Sequence, residues 1–283
     1  MRGPLLMLAG IGCFGLLDAN NKLLSEAGFG VWQVMLMRFV VILGGFALLR
    51  AAWRGWGGTL RTDRPRLHAL RAAAMMGSAS GFFMAFTHLP LAEGYLVFFT
   101  SPFLVLALAA GVLRERPPPA AWGWCAVGFA GVAIGVAPSL GAGQAAALAG
   151  YLWAAFATLC YATVFILNRQ LRAEAGFARV LVWPSLLGLA LTLPMGVAEW
   201  QAPGVLEAAQ MAANGLLVAC ATVALAAAFR YADAARLAPF GYSGLVWGLG
   251  FDLAIWGRMP GLAMLAGAAL VVTACIMSER AAR

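Results

Sequence analysis

The sequence predicts an all-α integral membrane protein with ten transmembrane helices, and three observations lead to this fold class. First, 63% of its 283 residues are hydrophobic and only 11% are charged, whereas a soluble domain carries roughly 25% charged residues. Second, the apolar stretches have the roughly 20 residues that a membrane-spanning helix needs, which is too long for barrel strands. Third, the arginines gather in every second connection, as they do when successive helices cross the bilayer in opposite directions.

Proline, glycine and charged residues mark the connections between the apolar stretches, and these residue types end helices and form turns. The connection between the second and third stretches, for example, reads AWRGWGGTLRTDRPR. No stretch is left over for a soluble domain. The ten predicted spans lie at approximately 4–24, 31–49, 69–88, 92–113, 120–138, 149–168, 177–197, 210–229, 237–256 and 261–278.

The basic residues predict how the chain is oriented. An even number of spans puts both termini on one side of the membrane, and 16 of the 19 basic residues fall on that side. Arg258 is in a loop on the opposite side, while Lys22 and Arg38 lie within or at the ends of spans. Since cytoplasmic loops carry the excess of Lys and Arg, both termini are expected in the cytoplasm. The protein is expected to be a multi-pass protein of a bacterial-type inner membrane.

Composition and motifs also exclude several functions. The net charge of +8 is dispersed over short loops, as the topology requires, and does not indicate nucleic-acid binding. The five cysteines fall inside apolar segments without metal-type spacing. The sequence has no Gly-Lys-Ser phosphate loop, no His-Glu-x-x-His motif and no paired mid-membrane carboxylates. It therefore predicts no metal site, no cofactor, no enzymatic activity and no ATP-driven motor.

The two halves of the chain share a layout that indicates an internal repeat. A constant offset aligns Phe99 with Tyr242 and Thr100 with Ser243. Around these positions each half has a short loop, a long span, a charged hinge with proline, and a span rich in Gly and Ala. Five is an odd number of spans, so the second copy enters the membrane from the opposite side and the repeat is inverted. The first repeat is expected at residues 1–140 and the second at residues 141–283.

A stretch of the first half carries a family resemblance. Residues 89–135 read LPLAEGYLVFFTSPFLVLALAAGVLRERPPPAAWGWCAVGFAGVAIG, and the second span contains MRFVVILGG with Arg38 near its start. Both stretches resemble the EamA family of the drug/metabolite transporter superfamily, with Pro102 in the fourth span and Glu115 at its end. The resemblance covers the chain as two such domains. It implies ten helices, cytoplasmic termini, and a central cavity surrounded by spans 1–4 and 6–9. The family includes a branch of bacterial aromatic amino-acid exporters.

Deep aromatic side chains and hydroxyls on spans 3, 4, 6 and 9 are expected to line the cavity that the resemblance implies. Such a pocket suits an amphipathic solute with an apolar side chain. Ordinary packing in the bundle core is the alternative for any single aromatic residue. The predicted substrate-binding residues are Ser78, Phe82, Tyr95, Phe99, Trp153, Tyr161, Tyr242 and Trp247.

Charged residues of three spans are expected at one depth. At about 1.5 Å per residue, Asp18 and Asp252 lie roughly 21–22 Å from the cytoplasmic end, and Arg38 lies roughly 10 Å from the periplasmic end. Buried charges are costly unless paired, so Asp18 and Asp252 are expected partners of Arg38. Lys22 lies one turn from Asp18 on the same helix face. Two interpretations remain open: a structural ion-pair network, or a gate latch or proton-coupling site.

Further candidates concern gating and bending. His88 ends the third span, where the helix dipole favours a histidine, and a pH-sensitive or substrate-contacting role is the alternative. Pro102 lacks a backbone donor and is expected to kink the fourth span. Gly241, Gly244 and Gly248 loosen the ninth span at the matching place of the repeat. These four residues are predicted hinges, with static helix packing as the alternative.

The sequence therefore predicts a secondary transporter that exports amino acids, preferably aromatic or apolar ones, or similar small metabolites by alternating access. One alternative is another metabolite class, such as a sugar derivative, a nucleoside or a cationic drug. Phosphate-bearing cargo is less favoured, because Arg38 and Lys22 are both expected to have acidic partners. A non-transport membrane enzyme or assembly factor is the other alternative. The expected partners are a small-molecule substrate and membrane lipids, with the protein a monomer or homodimer.

Overall fold

The computed structural model describes residues 2–53, 57–141, 145–171, 174, 177–231, 237 and 240–281. Within these ranges the chain is helical, with short turns between the helices. The helices in chain order are α1 (Arg2–Glu26), α2 (Val31–Ala52), α3 (Pro65–His88), α4 (Leu91–Phe98), α5 (Ser101–Val112), α6 (Pro119–Gly141), α7 (Ala145–Gln170), α8 (Phe177–Ala198), α9 (Val205–Tyr231), α10 (Ser243–Trp256) and α11 (Leu262–Ala281).

The helices match the predicted membrane spans. Eight helical segments in the described residues are long and apolar enough to cross a membrane, one of them formed by α4 and α5 together, and α10 and α11 are shorter apolar helices. We number the ten spans so that span 4 is α4 with α5, and spans 5 to 10 are α6 to α11. The eighth span is longer than predicted, since α9 begins at Val205. The start of the ninth predicted span, 237–256, lies partly outside the described residues.

Span 4 is broken rather than kinked. Helix α4 ends at Phe98 and α5 begins at Ser101, with Pro102 in the first turn of the new helix. A proline ring clashes with the carbonyl four residues earlier, here that of Phe98, and its missing N–H is harmless in the first turn of a helix. The irregularity expected at Pro102 is present, and it takes the form of a break of two residues, Phe99 and Thr100, between two helices. The Thr100 hydroxyl donates to the Val97 carbonyl at 2.8 Å within the break.

Eight spans form a closed ring. Each of them packs most extensively against two neighbours, in the order 1, 8, 2, 7, 3, 6, 4, 9 and back to 1, and spans 1 and 3 also contact each other. Spans 5 and 10 pair with each other outside this ring and contact span 4. This order of neighbours in the ring is unchanged when span 1 is exchanged with span 6, span 2 with span 7, span 3 with span 8 and span 4 with span 9. The breaks match as well, since a turn at Tyr242 precedes α10 where Phe99 and Thr100 separate α4 from α5.

Close backbone contact holds spans 5 and 10 together. A Cβ atom at Gly267 would lie 2.8 Å from the backbone nitrogen of Gly135, and one at Gly131 would lie 2.9 Å from the backbone oxygen of Gly267. Only glycine permits this approach, as at other small-residue contacts between membrane helices. Gly131 and Gly135 of span 5 and Gly267 of span 10 therefore let the two backbones approach closely.

We name the two ends of the bundle by their arginine content. The arginine-rich face holds the start of α1, the connection between α2 and α3, and that between α7 and α8. The arginine-poor face holds the ends of α1 and α10 and the starts of α2 and α4.

Candidate functional site

Aromatic side chains from spans 3, 4, 6 and 9 form one connected cluster. Phe98 is at its centre, with its ring centroid 4.9 Å from that of Tyr161 and 5.6 Å from that of Phe82 in edge-on arrangements. Edge-on and tilted geometries at 4.5–7 Å are those that aromatic pairs prefer. The members of this aromatic cluster are Phe82, Phe86, Tyr95, Phe98, Phe99, Tyr161 and Tyr242.

Residues related by the predicted repeat meet inside the cluster. The ring centroids of Phe99 and Tyr242 are 5.6 Å apart. Beside them, the Ser243 hydroxyl is buried and has no hydrogen-bond partner among the described residues. Because buried polar groups are nearly always hydrogen-bonded, this hydroxyl is a polar group available to a solute.

Amide groups from spans 1 and 8 form a polar network opposite the aromatic cluster. The Asn20 side chain donates to the Asn214 side-chain oxygen at 2.7 Å and to the Gln210 carbonyl at 2.8 Å. The Asn214 amide donates in turn to the Asn21 side-chain oxygen at 2.9 Å. That oxygen also accepts from Arg38 Nη2 on span 2 at 3.2 Å. Spans 1, 8 and 2 are consecutive in the ring, so these side chains form a polar arc.

Asp18 and Tyr95 join the two sides. The Tyr95 hydroxyl donates to Asp18 Oδ2 at 2.6 Å, while the Tyr95 ring belongs to the aromatic cluster. A Cβ atom at Gly248 would lie 2.5 Å from that ring, so Tyr95 is held between spans 1, 3 and 9. It is 8% exposed.

Lys22 and Asp252 hold the connection between spans 3 and 4. Lys22 Nζ donates to the Leu89 carbonyl and lies 5.2 Å above the Trp256 ring. Asp252 accepts from the backbone N–H groups of Leu91 at 3.0 Å and Ala92 at 2.8 Å. This carboxylate therefore caps the N-terminus of α4, where free N–H groups and the helix dipole favour a negative charge. Lys22 and Asp252 together form a clamp at the arginine-poor face.

The expected ion pairs of Arg38 are not formed. The ion pairs within 4.0 Å in the described residues involve other groups, and Arg38 contacts the neutral Asn21 instead. Asp18 and Asp252 are occupied by the Tyr95 hydroxyl and the α4 N-terminus. The sequence correctly brought these charges to one end of the bundle but assigned them the wrong partners.

Most of the remaining predicted residues lie apart from the cluster. Trp153 pairs with Phe156, and Trp247 packs against Gly12 of α1. His88 is exposed at the last residue of α3. Ser78 is partly buried on α3, and Gly241 has open space around it. Gly244 lies beside the cluster, since a Cβ atom there would be 3.8 Å from the Phe99 ring.

Two polar clusters were not predicted from the sequence. Glu93 of α4 accepts hydrogen bonds from the Tyr151 hydroxyl on α7 and, at 3.3 Å, from the Ser139 hydroxyl on α6. At the arginine-rich face Glu174 accepts from the Thr62 hydroxyl and lies 3.3 Å from His68 Nε2. The residues of each cluster are far apart in sequence and share no motif that would have indicated them.

Comparison with known proteins shows that the chain is similar to membrane transporters. Residues 148–279 match the model of the EamA-like transporter family. The chain is 29% identical over 201 residues to the pseudopaline exporter CntI of Pseudomonas aeruginosa, covering 70% of this chain and 69% of that protein. It is 24% identical over 273 residues to an S-adenosylmethionine uptake transporter of Rickettsia felis, covering 95% and 92%. It is 28% identical over 226 residues to a riboflavin transporter of Brucella anthropi, covering 78% of each.

A solved crystal structure has the same fold. It superimposes with a TM-score of 0.68 at 19% sequence identity, covering all of this chain and 98% of the other. The family model and the sequence relatives confirm the resemblance to the EamA family. The model matches the second half of the chain, whereas the motifs that carry the resemblance lie in the first. The chain is thus similar to membrane transporters of small metabolites. The aromatic amino-acid exporter branch is not confirmed, because the relatives named here transport other solutes.

Proposed function

We propose that this chain is a secondary transporter of the inner membrane that exports amino acids, aromatic or apolar ones preferred, or similar amphipathic metabolites. It works by alternating access between two inverted repeats, residues 1–140 and 141–283. Both termini are cytoplasmic, and the aromatic cluster is where the apolar part of the solute binds.

The aromatic cluster is the observation that carries this proposal. Its rings come from spans 3, 6, 4 and 9, which are consecutive in the ring of eight. The polar arc on spans 1, 8 and 2 takes up most of the rest of the ring. An amphipathic solute with an aromatic or apolar group at one end and polar groups at the other matches this division.

The named relatives support the same chemistry. S-adenosylmethionine and riboflavin are the solutes of two of them, and each combines a planar heteroaromatic ring system with polar groups. A transporter of this kind needs an aromatic surface for stacking and hydrogen-bonding groups for orientation. The aromatic cluster, with the Ser243 hydroxyl beside it, offers both to an aromatic amino acid.

The contact pattern supports alternating access. An arrangement that keeps its neighbours when the halves are exchanged is expected of an inverted repeat, in which the halves exchange roles between the two states. The breaks at Pro102 and just after Gly241 lie at equivalent positions and are the hinges of this proposal, with Gly244 and Gly248 allowing span 9 to slide on span 4. Gly248 is the one of these three glycines in tight contact, since a Cβ atom there would lie 2.5 Å from the Tyr95 ring.

The clamp supports a gate at the arginine-poor face. Lys22 and Asp252 attach spans 1 and 9 to the connection between spans 3 and 4 through backbone groups. Opening this face requires these bonds to break. Asp18 and Arg38 lie next to the clamp along α1 and α2, and His88 ends α3 beside Leu89. In this proposal the four charged groups and His88 respond to the state of the gate.

Counterflow into liposomes tests the cargo. Purified protein is reconstituted with unlabelled solute inside, and uptake of labelled phenylalanine, tryptophan, methionine, S-adenosylmethionine or riboflavin is measured against empty liposomes. We expect uptake of phenylalanine and tryptophan above the empty control. Flux of riboflavin alone, without flux of any amino acid, would refute the amino-acid cargo.

A second measurement locates the pathway. Tyr161→Ala removes a ring that contacts Phe98, and it should reduce phenylalanine counterflow by roughly 5- to 150-fold, because losing an aromatic contact with the solute costs about 1–3 kcal/mol. Tyr161→Phe retains the ring and should stay within about threefold of the native protein. Trp122→Ala, on span 5 outside the ring, is the matched control and should leave transport unchanged. Equal losses in the Tyr161→Ala and Trp122→Ala variants contradict the placement.

A further inference from the structure

We infer that Arg38 and Asp18 are the two ends of a binding site for a zwitterionic head group, with Arg38 taking the carboxylate and Asp18 the ammonium group. This inference rests on the proposed function and narrows its substrate to solutes that carry a free α-amino acid group. The sequence predicts a direct ion pair between these residues. The structure instead holds them apart, each with unused hydrogen-bonding capacity.

Arg38 is a buried guanidinium without a charged partner in contact. The residue is 5% exposed, and of its five N–H groups one donates to Asn21 Oδ1 at 3.2 Å. Its Nε has no hydrogen-bond partner among the described residues. The Asn21 oxygen is shared with Asn214, so it cannot turn fully toward Arg38. A guanidinium fork with free donors is the group best suited to a carboxylate, which it can bind through two parallel hydrogen bonds.

Asp18 is the complementary acid. From the described residues it accepts one hydrogen bond, at Oδ2 from Tyr95. Unlike Asp252, which is 3% exposed and fully engaged by two backbone N–H groups, Asp18 is partly exposed. An ionised carboxylate accepts up to about four hydrogen bonds. The unused acceptors of Asp18 fit the three donors of an ammonium group.

Lys22 and Asp252 do not compete for this role. Lys22 donates to the Leu89 carbonyl, and Asp252 caps α4. Both therefore hold backbone structure at the clamp. Neither Arg38 nor Asp18 holds backbone structure in this way, since each is bonded to a neutral side chain, that of Asn21 or of Tyr95.

The position of the pair also fits the aromatic cluster. Tyr95 donates its hydroxyl to Asp18, and its ring lies 5.7 Å from that of Phe86. Tyr95 thus links the two sides, with its hydroxyl on the Asp18 carboxylate and its ring in the aromatic cluster. In an aromatic amino acid the ammonium and carboxylate groups are joined to the ring by a short carbon chain. Such a solute would reach from the polar arc to the aromatic cluster.

The test compares three ligands of one shape. Phenylalanine carries both charges, phenethylamine lacks the carboxylate, and 3-phenylpropionate lacks the ammonium group. Their affinities for the purified full-length protein are measured by isothermal titration in detergent and by inhibition of counterflow. The native protein should bind phenylalanine about 10- to 100-fold more tightly than either analogue, because each lost charged contact is a charge-assisted hydrogen-bond group.

Variants assign each charge to its residue. Arg38→Gln should reduce phenylalanine affinity about 10- to 100-fold while leaving phenethylamine within about threefold, and Asp18→Asn should do the same with 3-phenylpropionate as the unaffected ligand. Arg38→Lys retains the positive charge but not the forked guanidinium, so its phenylalanine affinity should lie between those of the native protein and Arg38→Gln. Arg50→Gln, at the other end of the same helix, is the control and should leave all three affinities unchanged.

The outcomes separate the inference from the proposed function. If native protein binds phenylalanine and phenethylamine equally well, the inference is overturned without any variant. It is also overturned if Arg38→Gln weakens both ligands by the same factor, which is the result expected of a purely structural arginine. If native protein binds neither phenylalanine nor any other amino acid, the proposed cargo fails, and the inference fails with it.

Discussion

Replacement of Asp252 tests whether the clamp at the arginine-poor face stabilises the bundle. This carboxylate is 3% exposed, and it accepts hydrogen bonds from Leu91 N at 3.0 Å and Ala92 N at 2.8 Å. Leu91 and Ala92 are themselves buried, at 0% and 4% exposure. Their N–H groups therefore have no access to water in place of the carboxylate.

The magnitude follows from these two bonds. A hydrogen bond to a charged group contributes about 1.5–3 kcal/mol, and a buried donor left without a partner costs a similar amount. Asp252→Ala removes both acceptors, so it should lower the free energy of unfolding by about 3–5 kcal/mol. Asp252→Asn retains one acceptor oxygen and should lower it by about 1.5–3 kcal/mol.

The assay is unfolding of the purified protein in mixed micelles, followed by circular dichroism as the fraction of denaturing detergent rises. Glu115→Ala is the matched control, because Glu115 makes a 2.6 Å ion pair with Arg169 in which both side chains are exposed, by 41% and 52%. An exposed pair of this kind contributes about 0–1 kcal/mol. The reasoning is wrong if Asp252→Ala destabilises the protein no more than Glu115→Ala does.

Two further predictions concern the arginine-rich face and the pair of spans outside the ring. The hydrogen bond from Thr62, followed by that from His68, lowers the pKa of Glu174 below its ordinary value of 4.5. A lowered pKa stabilises the fold above that ordinary value, and this contribution is lost as the pH falls through the folded-state pKa. The difference in melting temperature between native protein and Glu174→Gln should therefore shrink from pH 7 toward acid, and a constant difference contradicts it. Gly267→Ala places a Cβ atom against the Gly131 oxygen and should lower the free energy of unfolding by about 1–3 kcal/mol in the same assay. Gly123→Ala, on span 5 with open space around it, is the control and should not lower it. Equal losses in the two variants would argue against the close contact.

The spans could be predicted from the sequence, because hydropathy over about 20 residues depends on composition alone. The break in span 4 could be predicted only in part. Pro102 indicated an irregularity, but whether the chain bends or restarts depends on the hydrogen bonds available around Phe98 and Thr100. The fold supplies these through the Thr100 hydroxyl and the turn before Ser101.

The partners of polar side chains could not be predicted, because they depend on how each helix is rotated about its axis. Depth along the span correctly brought Asp18, Arg38 and Asp252 to one end of the bundle. The depth of a residue in the membrane does not reveal that Asn214 of span 8 lies next to Asn21. That contact exists because spans 1 and 8 are adjacent in the folded ring, although they are far apart along the chain. Depth also does not reveal that a helix N-terminus competes with Arg38 for Asp252. Charge favours an ion pair, and the geometry of neighbouring backbone groups decides whether it forms.

The aromatic cluster was predicted better. Phe82, Tyr95, Phe99, Tyr161 and Tyr242 were expected to lie together, and all five belong to the cluster. That the cluster binds the substrate stays a prediction. Large rings in the interior halves of neighbouring spans have few other places to pack. Trp153 and Trp247 fall outside it, since each pairs with a phenylalanine on its own helix.

The most direct test of the account is a structure of the full-length protein with bound phenylalanine. We expect the phenylalanine ring inside the ring of eight spans, with its centroid about 4.5–7 Å from those of Phe98 and Tyr161, and its carboxylate toward Arg38. Phenylalanine bound outside the ring, against spans 5 and 10, would contradict it.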